Sequence, residues 1–165
     1  MQADEIRFLF EYHFYANRLI WEECILKLDA EAFTRPLDYS VGSIRNQCVH
    51  MMSVDERWIS GMMGKPVPDF LKPEDFPTHD SVRARWDEVE GLIREYLNTL
   101  TDEEVNRGIQ MQTREGSRPG RTWQVLLHVI NHGTDHRAQM LAMLFSLGAP
   151  TLPQDLISYI WTQEA

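Results

Sequence analysis

The chain has 165 residues, 43% of them hydrophobic, which is enough for one domain with a sizeable core over residues 1–165 and too little for two. With 25 Asp and Glu against 16 Lys and Arg, a formal charge of −9 and no basic run, it offers no surface for nucleic-acid phosphate or an anionic membrane. Met1 to Glu5 do not begin a secretory leader, no apolar run reaches a membrane span, and Cys24 and Cys48 make no disulfide framework, so the cytoplasm is the expected compartment.

Ile6, Leu9, His13, Ala16, Ile20, Cys24 and Leu28 recur at steps of three and four, which predicts a long amphipathic helix from Asp4 to about Asp29. Pro36 and Gly42 interrupt the pattern. Ser43 can cap a second helix to about Met62, with Ile44, Gln47, Met51, Val54, Trp58 and Met62 along one side. Gly64, Pro66, Pro68, Pro73 and Pro77 predict a loop. A third helix, from near Asp80, carries Val82, Trp86, Val89, Ile93, Tyr96, Leu97 and Leu100, and Thr101 with Glu104 reads as a capping box for a short extra turn.

The stretch from Ile109 to Arg121, broken by Gly116, Pro119 and Gly120, is not helical, and Ile109 to Thr113 can form one arm of a small hairpin. The fourth long helix starts after Thr122 and stops at Gly148, with Pro150 barring continuation. A short helix from about Gln154 to Thr162 can dock Leu156, Ile160 and Trp161. The fold class is all-α: a four-helix bundle with short extra helices and a small hairpin before the last long helix.

On the fourth helix Val125, Val129, His132, His136, Met140, Met143 and Leu147 form a stripe at bundle-core spacing, so two histidines fall on core positions. Residues i and i+4 share a face one turn apart, as in helical metal sites. A lone core His is more often bonded to a carbonyl or carboxylate, but two bring two acceptors that a cation would employ. His128 also stands four before His132, yet the helix rises about 12 Å over eight residues, so one ion cannot join His128 and His136. The stripe favours His132 with His136 and leaves His128 to pack or to supply an outer hydrogen bond. A third ligand must come from a neighbouring helix. His50 is the leading candidate; His13, on the apolar stripe of the first helix, competes but suits a core role, and His79, ending the Pro-rich loop, is expected at the surface. Cys48 stands about 200° around its helix from His50 and cannot share its ion, and Cys24 falls on a core stripe.

The run Leu126-Leu127-His128-Val129-Ile130-Asn131-His132-Gly133-Thr134-Asp135-His136-Arg137-Ala138-Gln139 resembles the last-helix motif of the DinB or YfiT-like family. Gly42-Ser43-Ile44, then Val49-His50-Met51 and Asp55 to Trp58, resembles that family's second-helix motif, and the likeness extends over essentially the whole chain. It implies a four-helix bundle that binds one divalent cation, often nickel or zinc, through one His of the second helix and two of the last: here His50, His132 and His136. The sequence departs from the motif at Ala138, commonly Gly, and Asp135, often His. Neither change removes a ligand.

Three neutral imidazoles would leave the ion an open position for water or substrate, where it can lower the pKa of a bound water or thiol. Gly133 follows His132, so the Glu base of His-Glu-x-x-His proteases is missing. Asp55 and Asp135 are the carboxylates nearest the ligands in sequence: either can orient an imidazole or shuttle a proton, although a solvated surface position is the better reading of Asp135. Arg137 is a candidate to bind an anionic substrate or to pair with Asp135 or Glu88. The resemblance implies an enzyme of thiol-dependent transferase or hydrolase type acting on a small molecule, with a low-molecular-weight thiol as partner. The alternative is a non-catalytic, stress-related metal-binding or interaction protein. Five Trp and eight Met, together with the resemblance, point to a homodimer.

Overall fold

The computed structural model describes residues 1–113 and 116–163. The first helix, α1, covers Ala3–Glu23, shorter than its apolar period suggests. Beyond it the chain tightens into a 3-10 turn over Ile25–Lys27 and then forms a five-residue helix, α2, Ala30–Thr34, capped by Asp29, whose carboxylate accepts from Ala32 N at 2.8 Å. The apolar spacing survives this break because Ile25 and Phe33 turn inward to fully buried positions.

The second long helix, α3, covers Ile44–Met62; the Ser43 hydroxyl accepts from Asn46 N at 3.1 Å and supplies the expected cap. After the Pro-rich loop, α4 runs His79–Thr99 and α5 Asp102–Asn106, the latter capped by Thr101. Strands β1, Gly108–Thr113, and β2, Gly116–Arg121, pair antiparallel with Ile109 opposite Gly120 and Met111 opposite Arg118.

The longest helix, α6, covers Thr122–Ser146. It ends in a Schellman motif: Gly148 takes φ +72°, Ala149 N donates to Leu144 O and Gly148 N to Phe145 O, both at 3.0 Å. Helix α7, Leu156–Gln163, docks through Tyr159 against Phe8, Tyr12 and Tyr15. Trp161, expected to dock, is 63% exposed.

The four long helices α1, α3, α4 and α6 form the bundle, with α3 between α4 and α6, and α1 against α6. Ile6, Phe10, Ile20, Met51, Met52, Ile59, Ile93 and Leu126 fill its core. No helix among the described residues is long and apolar enough to cross a membrane.

The buried line of α6 keeps Val125, Val129, Met140 and Met143 of the expected stripe and departs from it in the middle turns. There Gly133 and Arg137 face inward with Leu126, Ile130 and Leu144, whereas His132 and His136 stand half-buried at the edge of the core. Gly133 and Arg137, rather than the two histidines, occupy the middle of the bundle.

Candidate metal centre

Helix α3 presents His50 to the edge of α6 that carries His132 and His136. Ring centroids are 4.4 Å apart for His50 and His136, 4.2 Å for His132 and His136, and 5.3 Å for His50 and His132. One nitrogen from each ring can be chosen so that all three lie within 4.8 Å of one another. The Nε2 atoms of His50 and His136 are 3.2 Å apart. Tetrahedral metal–nitrogen bonds of about 2.0–2.1 Å put ligand atoms roughly 3.3 Å apart, so this pair already has nearly the required separation. The donor set fits a borderline divalent cation such as zinc or nickel.

All three rings resist protonation. Burial is the main cause, followed for His50 and His132 by the neighbouring His136, and His132 is pushed down to about 4. Neutral imidazole is the form that binds metal. Gln47, one turn before His50, lies against the third ring: its Nε2 is 2.7 Å from His136 Nδ1, which puts the proton of the neutral metal-free ring on Nε2, facing His50, and it donates to the His136 carbonyl at 3.0 Å, while its Oε1 accepts from Ser40 at 3.0 Å.

Behind the triad lies a buried polar chain that the sequence does not announce. Arg137 is 1% exposed and donates through Nη1 to Asn17 Oδ1 at 2.9 Å and to His13 Nδ1 at 3.2 Å, through Nη2 to Thr134 Oγ1 at 3.0 Å, and through Nε to Gln154 Oε1 at 2.8 Å. His13 Nε2 is 3.2 Å from Asp55 Oδ2. Gly133 makes the arrangement possible, because a Cβ there would fall 2.4 Å from His13 Cε1 and 2.7 Å from His13 Nδ1. Where the metalloprotease motif has a Glu, this chain has the space for an imidazole.

In front of the triad a cavity of about 820 Å³ opens beside His132. Val54, Trp58, Met62, Val125 and Phe70 give it apolar walls, β1 closes one side with Ile109 and Met111, and Arg57 and Lys65 stand at its border. Lys65 is exposed, whereas the Arg57 guanidinium sits 4.0 Å over the Phe70 ring and donates to the Pro68 carbonyl.

The structure thus brings His50, His132 and His136 together and leaves the competing histidines elsewhere. His13 is fully buried, as expected of a core residue, but it is a member of the polar chain. His128 is exposed on the cavity wall, 5.2 Å from the Trp58 ring and 6.0 Å from the His132 ring, with no hydrogen bond to His132. His79 is not at the surface: it is half-buried and stacks on Phe33 at 3.9 Å. Arg137 points away from the cavity into the bundle and pairs with neither Asp135 nor Glu88; Asp135 is exposed and takes its hydrogen bond from Gln139. Asp55 is buried, its field felt by all three triad rings. Cys24 and Cys48 are buried, which raises both thiol pKa values and keeps them protonated.

A four-helix bundle with one His on its second long helix and two, four residues apart, on its last defines a class of helical proteins with a candidate metal centre at the bundle edge. The chain belongs to the DinB family, which it matches over residues 2–165. It is 28% identical over 159 residues to Protein DinB of Bacillus subtilis (strain 168), across 93% of this chain and 92% of that protein. Its fold is similar to a crystal structure of a DinB-like protein from Bacillus cereus ATCC 10987, with a TM-score of 0.65 and 18% identity over 88% of this chain and 95% of that one.

Proposed function

We propose that the protein is a metal-dependent enzyme of the cytoplasm that acts on a small molecule, with one nickel or zinc ion held by His50, His132 and His136. The cavity beside His132 carries this reading: a reactant can reach His132 from solvent and lie against apolar walls, with the exposed Lys65 available to an anionic end. The ion would supply a Lewis acid and an acidified water or thiol. The reaction class is a thiol-dependent transfer or a hydrolysis. Trp58 and Val125 would pack the reactant, and His128, on the cavity wall, is the side chain placed to carry a proton there.

The second reading, a metal-binding partner protein without turnover, draws support from the same cavity, since no Asp or Glu lines it among the described residues. Cobalt(II)-loaded protein separates the two. Titration with a small thiol should produce an intense thiolate charge-transfer band, absent from the His136→Ala variant. A spectrum that ignores every thiol while the ion stays bound would favour the partner protein. We further propose a homodimer, supported by large apolar side chains left at the surface, among them Phe145 at 77% and Trp161 at 63% exposure; light scattering at micromolar concentration should give twice the chain mass.

A further inference from the structure

The buried chain behind the triad has two loose ends. Arg137 can only donate, so its contact with His13 Nδ1 makes that nitrogen an acceptor and puts the proton of the neutral ring on Nε2, facing Asp55 Oδ2 at 3.2 Å. Asn17, whose amide nitrogen is 3.1 Å from the same Nε2, turns its oxygen to Arg137. Asp55 therefore receives one hydrogen bond and, through the His13 ring, faces the buried guanidinium. Its other oxygen, Oδ1, is buried without a partner, and so is His132 Nδ1.

These two atoms have opposite requirements. An ionised carboxylate oxygen only accepts. A neutral His132 that offers Nε2 to an ion must carry its proton on Nδ1, where it needs an acceptor. Asp55 lies on α3 five residues after His50, and its partner His13 packs directly against Gly133, the residue that follows His132 on α6. Three neutral ligands carry no charge of their own to balance a divalent ion.

We infer that Asp55 is a positioning residue of the metal centre: with an ion bound it accepts from His132 Nδ1–H, which aims Nε2 at the ion, and it supplies the negative charge that the ligands lack, while His13, itself held by Arg137, keeps the carboxylate in place. This rests on the metal reading above. It also gives the interior Arg137 a purpose that a cavity-facing arginine would not have. The guanidinium compensates Asp55 when no ion is bound, and the ring of His13 sets the orientation of the carboxylate.

Dissociation constants for zinc and cobalt(II), from competition with a chromophoric chelator, test this. Asp55→Asn is expected to weaken both metals by about 10- to 100-fold, the usual cost of losing a ligand's hydrogen-bond partner. In proton spectra of the cobalt(II) protein, the most slowly exchanging ligand ring N–H signal should exchange fast or vanish in that variant. Asp55→Glu, which keeps the charge, should recover part of the affinity. If Asp55→Asn does not fold, the His13 variants carry the test, because the hydrogen bonds and ring contacts of His13 among the described residues go to Asp55, Asn17, Arg137, Phe10 and Phe14 and to none of the three ligands. His13→Gln retains a donor and an acceptor and should bind metal nearly as wild type, whereas His13→Leu should bind less tightly. Wild-type affinity and an unchanged N–H signal in Asp55→Asn, or equal affinity in the two His13 variants, would overturn the role of Asp55 and leave the three-histidine site standing. A wild-type protein that binds neither metal would overturn both.

Discussion

On α6, His132 and His136 lie one residue away from Gly133 and Arg137, and the two pairs have opposite fates. The first pair stands half-buried at the helix edge, with the buried Nδ1 of His132 unpartnered and His136 Nε2 packed 3.2 Å from the Nε2 of His50 on α3. The second pair is buried, and Arg137 finds four partners on three different segments. A rotation of about 100° per residue is all that separates them. Polar groups that satisfy one another build the interior; polar groups left short of partners at a cavity are available to a ligand.

Variants of the edge should have the largest effect on metal. His50→Ala, His132→Ala and His136→Ala are each expected to lower affinity beyond the roughly 10- to 100-fold cost of an outer-shell change, whereas His128→Ala should leave it within about twofold. Metal content of protein purified without an affinity tag checks both halves. A His132→Ala protein that keeps its full metal content would erase the proposed distinction between edge and interior.

Variants of the interior should act on stability first. Gly133→Ala places a methyl within 2.4 Å of the His13 ring, and overpacking of this kind costs about 1–3 kcal/mol. Arg137→Met leaves Asn17 Oδ1, Gln154 Oε1 and His13 Nδ1 without their donor, at about 1–3 kcal/mol for each that stays buried and unpaired. Urea denaturation of the metal-free proteins measures both. Equal stability of Gly133→Ala and wild type would mean that His13 can leave its position freely.

The edge also gives the metal-free protein a pH dependence. In the folded metal-free chain the His132 pKa is held down to about 4 by burial first and by His136 next, against an ordinary value of 6.5. Between those values the unfolded chain binds a proton that the folded chain does not, so stability falls as pH drops from 6.5 towards 4 and is unaffected by this group above that window. The melting temperature of metal-free protein should decline through this range. His132→Gln should decline less.

The triad could be read from the sequence because two of its members share a helix at a fixed four-residue step and the third lies in a recognisable motif. The polar chain could not. Its members His13, Asn17, Asp55 and Arg137 come from three helices, and nothing in the local pattern around Arg137 distinguishes an interior guanidinium from a substrate-binding one. Helix caps at Ser43 and Thr101 and the stop at Gly148 were legible because a single side chain, or its absence, decides them. The break of α1 after Glu23 was not, since Ile25 and Leu28 keep the apolar rhythm through a turn that is no longer α-helical. The walls of the cavity from the Pro-rich loop and β1, including Lys65, Ile109 and Met111, depend on long-range placement that no periodicity encodes.

The missing side chain at Gly133 ties two distant sites in the gene to each other. A relative that acquires Ala there must shrink or move the residue at position 13, and one that loses His13 is released from the demand for Gly. Substitutions at the two positions should therefore travel together through evolution, and a library that randomises both at once should recover functional combinations that neither single change allows.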